Sequence, residues 1–157
     1  MKKYVTLFFL GLGLTSYAQT NQNAISAYVD MNLEAEYFTF YGLSYQRFIA
    51  PNHGLQVYTG FSWQEHISLG VDYTYNRNIL SENLSVFAGV GVGMEHHSEN
   101  SILGVNNFYL FRPQIGLNFQ IPTTNFGIFG AYKPKFDLKT YDTFDSSPIT
   151  FGVKYNF

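Results

Sequence analysis

Apolar and polar residues alternate along most of this chain, most cleanly between positions 55 and 76. Leu55, Val57, Thr59, Phe61 and Trp63 share one parity, and Gln56, Tyr58, Gly60, Ser62 and Gln64 the other. Ile67, Leu69, Val71, Tyr73 and Tyr75 then alternate with Ser68, Gly70, Asp72, Thr74 and Asn76. A strand turns successive side chains to opposite faces, so each segment reads as a strand with one greasy and one polar side. The same period predicts eight strands: Ala24–Leu33, Tyr37–Ile49, Leu55–Gln64, Ile67–Asn76, Leu84–Glu95, Phe108–Ile121, Phe126–Lys135 and Pro148–Phe157.

The pattern is strained in two places. Phe38 and Phe40 lie on the opposite parity from Tyr41, Leu43 and Tyr45, which predicts a bulge between them. Pro113 falls within the sixth strand and Pro134 near the end of the seventh. Proline brings no N–H to a ladder, so a bulge or projecting strand end is expected at Pro113 and a fraying top at Pro134. Links around Pro51, Asn78–Glu82 and Pro122–Asn125 are short, and the two longest, His96–Asn107 and Phe136–Ser147, both fall at the other end, where the links near Glu34 and Glu65 are short as well. An even strand count with this asymmetry predicts an all-β, eight-stranded, antiparallel up-and-down barrel, with both termini and the short turns at one end.

The front of the chain has a different character. Lys2 and Lys3 precede an apolar stretch from Val5 to Leu14, and Ser16-Tyr17-Ala18 follows as a small-x-small site. This predicts a secretory signal peptide over residues 1–18, leaving one barrel domain over 19–157. Ten apolar residues are too few for a spanning helix, which needs about 20.

Composition separates a membrane barrel from a soluble one. Charged residues make up 13% of the chain, aromatics 19%, and mean hydropathy is −0.07. A soluble domain carries a surface about 25–35% charged, which this chain cannot furnish. An eight-stranded barrel has an interior just wide enough for side chains to fill, and the bulky apolar set would overfill it. The apolar face is therefore expected to meet lipid, with Trp63, Tyr73, Tyr75, Tyr132, Tyr155 and Phe157 in the interfacial girdles. Without Lys2 and Lys3, seven basic residues face eleven acidic ones, a net charge of −4 that offers no basic face to nucleic acid. There is no cysteine, hence no disulfide.

The polar face then defines a lumen holding Asp30, Asp72 and Glu95 with Arg112, Lys133 and Lys154. Buried charges cost several kcal/mol each unless paired, so balanced signs predict an internal network that plugs the barrel. The alternative is a narrow porin-like channel for small solutes.

One cluster at the rim carries candidate chemistry: Glu95-His96-His97-Ser98-Glu99. An imidazole next to a hydroxyl can take its proton near neutral pH. Glu65, His66, His96, His97 and Glu99 are residue types that suit zinc, although their spacing matches no metal motif. The plainer expectation is a solvated loop with no catalytic residue, metal or cofactor. Asp137, Asp142 and Asp145 could bridge divalent cations to lipopolysaccharide, and His53 falls in a short turn.

The segment Thr150-Phe151-Gly152-Val153-Lys154-Tyr155-Asn156-Phe157 resembles the C-terminal signal of bacterial outer-membrane barrels, with Thr150, Gly152, Tyr155 and Phe157 in its slots. The resemblance implies recognition by the barrel-assembly machinery. Residues 19–157 resemble small outer-membrane barrels of the OmpA transmembrane-domain type. That implies an integral outer-membrane protein of a Gram-negative bacterium, in contact with membrane lipid and lipopolysaccharide, with a structural or surface-interaction role rather than an enzymatic one. His96 and Ser98 are spaced as in lipid A deacylases of the PagL type. There His96 would be the base and Ser98 the nucleophile, with Glu95 or Glu99 the nearest acid. The chain departs from that family in lacking its downstream acid and in placing Glu99, not an asparagine, after the serine.

Overall fold

The computed structural model describes residues 23–33, 39–63, 65–96, 107–139, 144–145 and 148–157. The expected signal peptide lies outside the described residues, as do Phe38, His97, Ser98, Glu99 and Asp142. Among the described residues the chain forms ten strands: β1 Asn23–Asn32, β2 Phe40–Ala50, β3 His53–Phe61, β4 Ile67–Ser81, β5 Leu84–His96, β6 Asn107–Gln120, β7 Phe126–Tyr132, β8 Lys135–Asp137, β9 Phe144–Asp145 and β10 Pro148–Asn156.

The eight long strands pair antiparallel in chain order, and β1 pairs with β10 to close the cylinder. Closure removes every free edge, so each long strand has a partner on both sides. Asn23 and Phe157 exchange two backbone hydrogen bonds, of 3.1 and 2.9 Å. They therefore meet at the end of the barrel that carries the turns at 51–52, 82–83 and 122–125.

The two faces separate by period two. Ile25, Leu43, Val57, Val71, Val92, Leu117 and Val153 point outward and are 44–58% exposed. Ser26, Asp30, Ser44, Asp72, Thr74, Arg112, Gln114, Asn118 and Thr150 point inward and are at most 9% exposed. The core of this protein is thus its polar face. Inward aromatic rings fill it by lying across glycines of neighbouring strands: Tyr28 over Gly42, Tyr58 over Gly70 and Gly93, Phe87 over Gly116, and Phe129 over Gly152. A Cβ at any of these glycines would overlap the ring that covers it.

Several expectations need correction. No bulge separates Phe40 from Tyr41, because β2 pairs with β1 in one register from Phe40 to Arg47; against β3 it shifts only beyond Phe48, beside the turn where Asn52 has φ 69°. Phe40 is an inward apolar residue, buried to 1% exposure. His53 belongs to β3, opposite Tyr75, rather than to the turn. β4 runs on to Ser81, past the predicted end at Asn76, since Arg77 and Asn78 still pair with Val86 and Ser85. A ladder uses backbone groups, and polar side chains do not end it.

The expected bulge at Pro113 is also absent: Val90 faces Pro113 in an unshifted register. Nor does the seventh strand fray at Pro134. Ile115 pairs with Tyr132 in β7, and Leu110 with Asp137 in β8, in one common register. β8 therefore continues β7 beyond the proline, and β9 pairs with it as a short hairpin at the loop end.

Candidate functional site

The charged residues of the inner face gather toward the loop end of the lumen. Lys135 is central: its Nζ lies 2.8 Å from Glu95 Oε1 and 3.4 Å from Asp30 Oδ2. Arg112 reaches Asp30 Oδ2 at 4.0 Å, and Lys133 reaches Asp72 Oδ2 at 3.5 Å. The Thr150 hydroxyl donates to Asp30 Oδ1 at 3.1 Å. The Arg112 guanidinium also stacks 4.2 Å above the Tyr58 ring, and the Lys135 ammonium stands 5.1 Å from the Phe40 ring centre. Cations over aromatic faces gain most where water is excluded.

The backbone explains how these groups come together. Asp72, Gly91 and Arg112 occupy one row across β4, β5 and β6. Gly91 has no side chain, and the Asp72 carboxylate occupies the space a Cβ there would need. The hydroxyl end of Tyr58 lies against Gly70 and Gly93, and the Arg112 guanidinium stands over the ring. Glycines on two adjacent strands thus make a smooth wall, and the long polar side chains stack onto it.

The structure brings together Asp30, Asp72, Glu95, Arg112 and Lys133 of the six predicted lumen charges. Lys154 sits apart, nearer the end with the termini. There it lines a cavity of about 20 Å³ with Gln46, Thr74, Asn76, Asn118 and Lys133. That volume holds about one water molecule. An amide chain runs beside it: Gln46 donates to Thr74 at 3.1 Å, Asn76 to Thr74 at 3.2 Å, and Asn118 to Asn76 at 3.2 Å.

Lys135, the last residue of the predicted seventh strand, is absent from the predicted lumen set. The available signal was parity: Lys135 lies two residues beyond inward Lys133. With Lys135 in the place of Lys154, the cluster still holds three acids and three bases.

The rim cluster divides between the two faces. Glu95 points inward to Lys135, whereas His96, the next residue on β5, points outward opposite Ile67. Glu95 is therefore turned away from His96 and does not orient it. The His96 Nδ1 lies 2.9 Å from Asn107 Oδ1. Its proposed partner Ser98 is outside the described residues. Of the metal candidates, Glu65 occupies a tight turn with φ 61° and His66 is buried. Among the described residues no three histidine or acidic side chains converge to hold a metal.

Of the residues expected to form a C-terminal signal, Thr150 is buried, whereas Tyr155 and Phe157 are 41% and 47% exposed on the outer face. Thr150 bonds Asp30, and Gly152 lies beneath the Phe129 ring. Tyr155 packs outward against Phe126 and Phe157, with ring centres 5.1 and 6.2 Å away.

This geometry defines a class: a closed, eight-stranded barrel with its apolar side out. No protein-family model matches the chain. No curated protein matches it either. Solved structures do match. The N-terminal β-barrel domain of Pseudomonas aeruginosa OprF is similar with TM-score 0.72 and 17% identity, over 88% of this chain and 100% of that one. Yersinia pestis outer membrane protein Ail is similar with TM-score 0.54 and 17% identity, over 87% of this chain and 99% of that one. Neisserial surface protein A is similar with TM-score 0.54 and 10% identity, over 86% of this chain and 94% of that one. The fold is that of the small eight-stranded outer-membrane barrels.

Proposed function

We propose that this chain is an integral outer-membrane barrel whose lumen is sealed, and that it acts structurally or through its loops rather than as a pore or an enzyme. One observation carries the reading: the chain exposes its apolar face and buries its charges. In water that partition would leave a girdle of bare valine, leucine and isoleucine around the molecule, whereas hydrocarbon solvates it. The Asp30–Lys135–Glu95 bridge, with Arg112 packed beside it, crosses the lumen where a solute would have to pass. The small volume beside Lys154 adds support, since a conducting path needs continuous water. Membrane lipid, lipopolysaccharide and, during biogenesis, the barrel-assembly machinery are the partners that follow from this reading.

The test is twofold. Cell fractionation with an antibody against the chain should find it in the outer-membrane fraction, processed after residue 18. Purified and reconstituted in a planar bilayer, it should give no steady, large conductance. Recovery as a monodisperse soluble protein without detergent would refute the membrane reading, and a stable open channel would refute the seal.

A further inference from the structure

Lys154 is a lumen-facing cation without a counter-ion. Asp30, Asp72 and Glu95 are engaged by Lys135, Lys133 and Arg112, and among the described residues no carboxylate stands within ion-pair distance of the Lys154 ammonium. Ser26, Lys154 and Gly127 form one row across β1, β10 and β7. Gly127 brings no side chain, and the Lys154 Cε passes 3.3 Å from where a Cβ there would stand.

Two ammonium-bearing side chains, Lys133 and Lys154, line the cavity of about 20 Å³, and no acidic one does. The rest of its polar lining is neutral: hydroxyls of Ser26 and Thr74, and amides of Gln46, Gln56, Asn76 and Asn118. Thr74, Asn76, Asn118 and Lys133 are buried. Lys133 is turned to Asp72 at 3.5 Å, so the uncompensated charge at the cavity is that of Lys154. Each amide nitrogen carries two hydrogens. Gln46 and Asn76 each spend one on Thr74, Asn118 one on Asn76, and Gln56 one on Ser44 at 2.6 Å. The second N–H of each amide is left to donate.

A charge withdrawn from bulk water is costly unless it is paired. A water molecule would solvate Lys154 without neutralising it, whereas a small anion does both and accepts from the amides. A cavity of this size admits one occupant of about a water molecule's bulk, which excludes phosphate and organic acids. We propose that the cavity beside Lys154 is a binding site for one small inorganic anion of the halide type, held between the ammonium and the spare amide N–H groups. The inference rests on the sealed-lumen reading above in one respect: the ion is held there, not passed.

The full chain is folded into lipid vesicles and unfolded with urea in chloride or in gluconate, an anion too bulky for the cavity, at equal ionic strength. Once the site is saturated, each decade of chloride should raise the folded-to-unfolded ratio about tenfold relative to gluconate. Lys154→Met removes an unpartnered charge and should fold, with the same ratio in both salts. In wild-type crystals soaked in bromide, an anomalous peak should touch Lys154 Nζ. Equal wild-type ratios in the two salts, a chloride effect that persists in Lys154→Met, or bromide absent from the cavity would overturn the site. A steady conductance in a planar bilayer would instead reject the seal and leave the anion site standing.

Discussion

Pro113 and Pro134 stand opposite each other between the sixth and seventh strands, and the N–H that each lacks is the one that would have served the other. The common register of β7 and β8 against β6 sets the pair face to face. Leu138 N donates to Tyr109 O at 2.7 Å, so alternate pairs from there, Phe111 with Phe136 and Pro113 with Pro134, are the hydrogen-bonding ones. On the other sides, Gln120 N donates across to Asn83 O and Lys133 N to Pro148 O. Neighbouring residues alternate in direction, so Pro113 is turned toward Pro134 and not toward β5. Two missing donors therefore cost the barrel a single ring of hydrogen bonds, with no bulge on either side.

Replacing one of these prolines should restore a bond rather than break the ladder. In Pro113→Val the new N–H meets the Pro134 carbonyl. A gain of about 0.5–1.5 kcal/mol from that bond is opposed by about 0.4–1 kcal/mol from a looser unfolded chain. The expected net change is under about 1 kcal/mol. The amide that Pro113→Val introduces should exchange with solvent as slowly as its neighbours in hydrogen-exchange NMR. Fast exchange would mean the two prolines are not partnered.

The assignment of faces is tested by a matched pair. Val90 points outward beside Pro113 and Tyr73, while Thr74 points inward and is 1% exposed. Val90→Arg places a charge on the apolar band and should cost about 2–4 kcal/mol in urea unfolding from lipid vesicles. Thr74→Ser keeps the hydroxyl that Gln46 and Asn76 bond, and should be mild. Equal tolerance at the two positions would reverse inside and outside.

Lys135 should behave as the keystone of the lumen cluster. Lys135→Met leaves Asp30 without its ammonium at 3.4 Å and Glu95 without its ammonium at 2.8 Å. Breaking a buried pair on one side costs about 3–5 kcal/mol, because the remaining charge stays buried. Adding Glu95→Gln should recover part of that loss. A double-mutant cycle on denaturant midpoints measures the coupling, and strict additivity would mean the two side chains do not meet in the folded barrel.

The glycine wall makes a further expectation specific. A methyl at Gly93 overlaps the Tyr58 hydroxyl, and Tyr58 supports the Arg112 guanidinium. Gly93→Ala should cost about 1–3 kcal/mol, as overpacking does. Most of that cost should vanish in a Tyr58→Ala background, where the ring is gone. A cost that persists would point to the backbone at Gly93 instead of the ring above it.

Period-two alternation was enough to read eight strands, because strand geometry maps parity directly onto face, and low charge with a lumen too narrow for the bulky set put the greasy face outside. The same rule assigns Asp30, Asp72, Glu95, Arg112 and Lys133 to one wall from their positions in the chain. Parity is local, however, and the decisive relationships are between strands far apart in the chain. That Lys135, not Lys154, completes the charge balance depends on the strand resuming past Pro134. That Pro113 needs no bulge depends on a second proline arriving opposite it. That Glu95 and His96 part company, by contrast, follows from parity itself, since they are successive residues of β5. Register and closure join residues tens of positions apart, and only the folded barrel decides which of them meet.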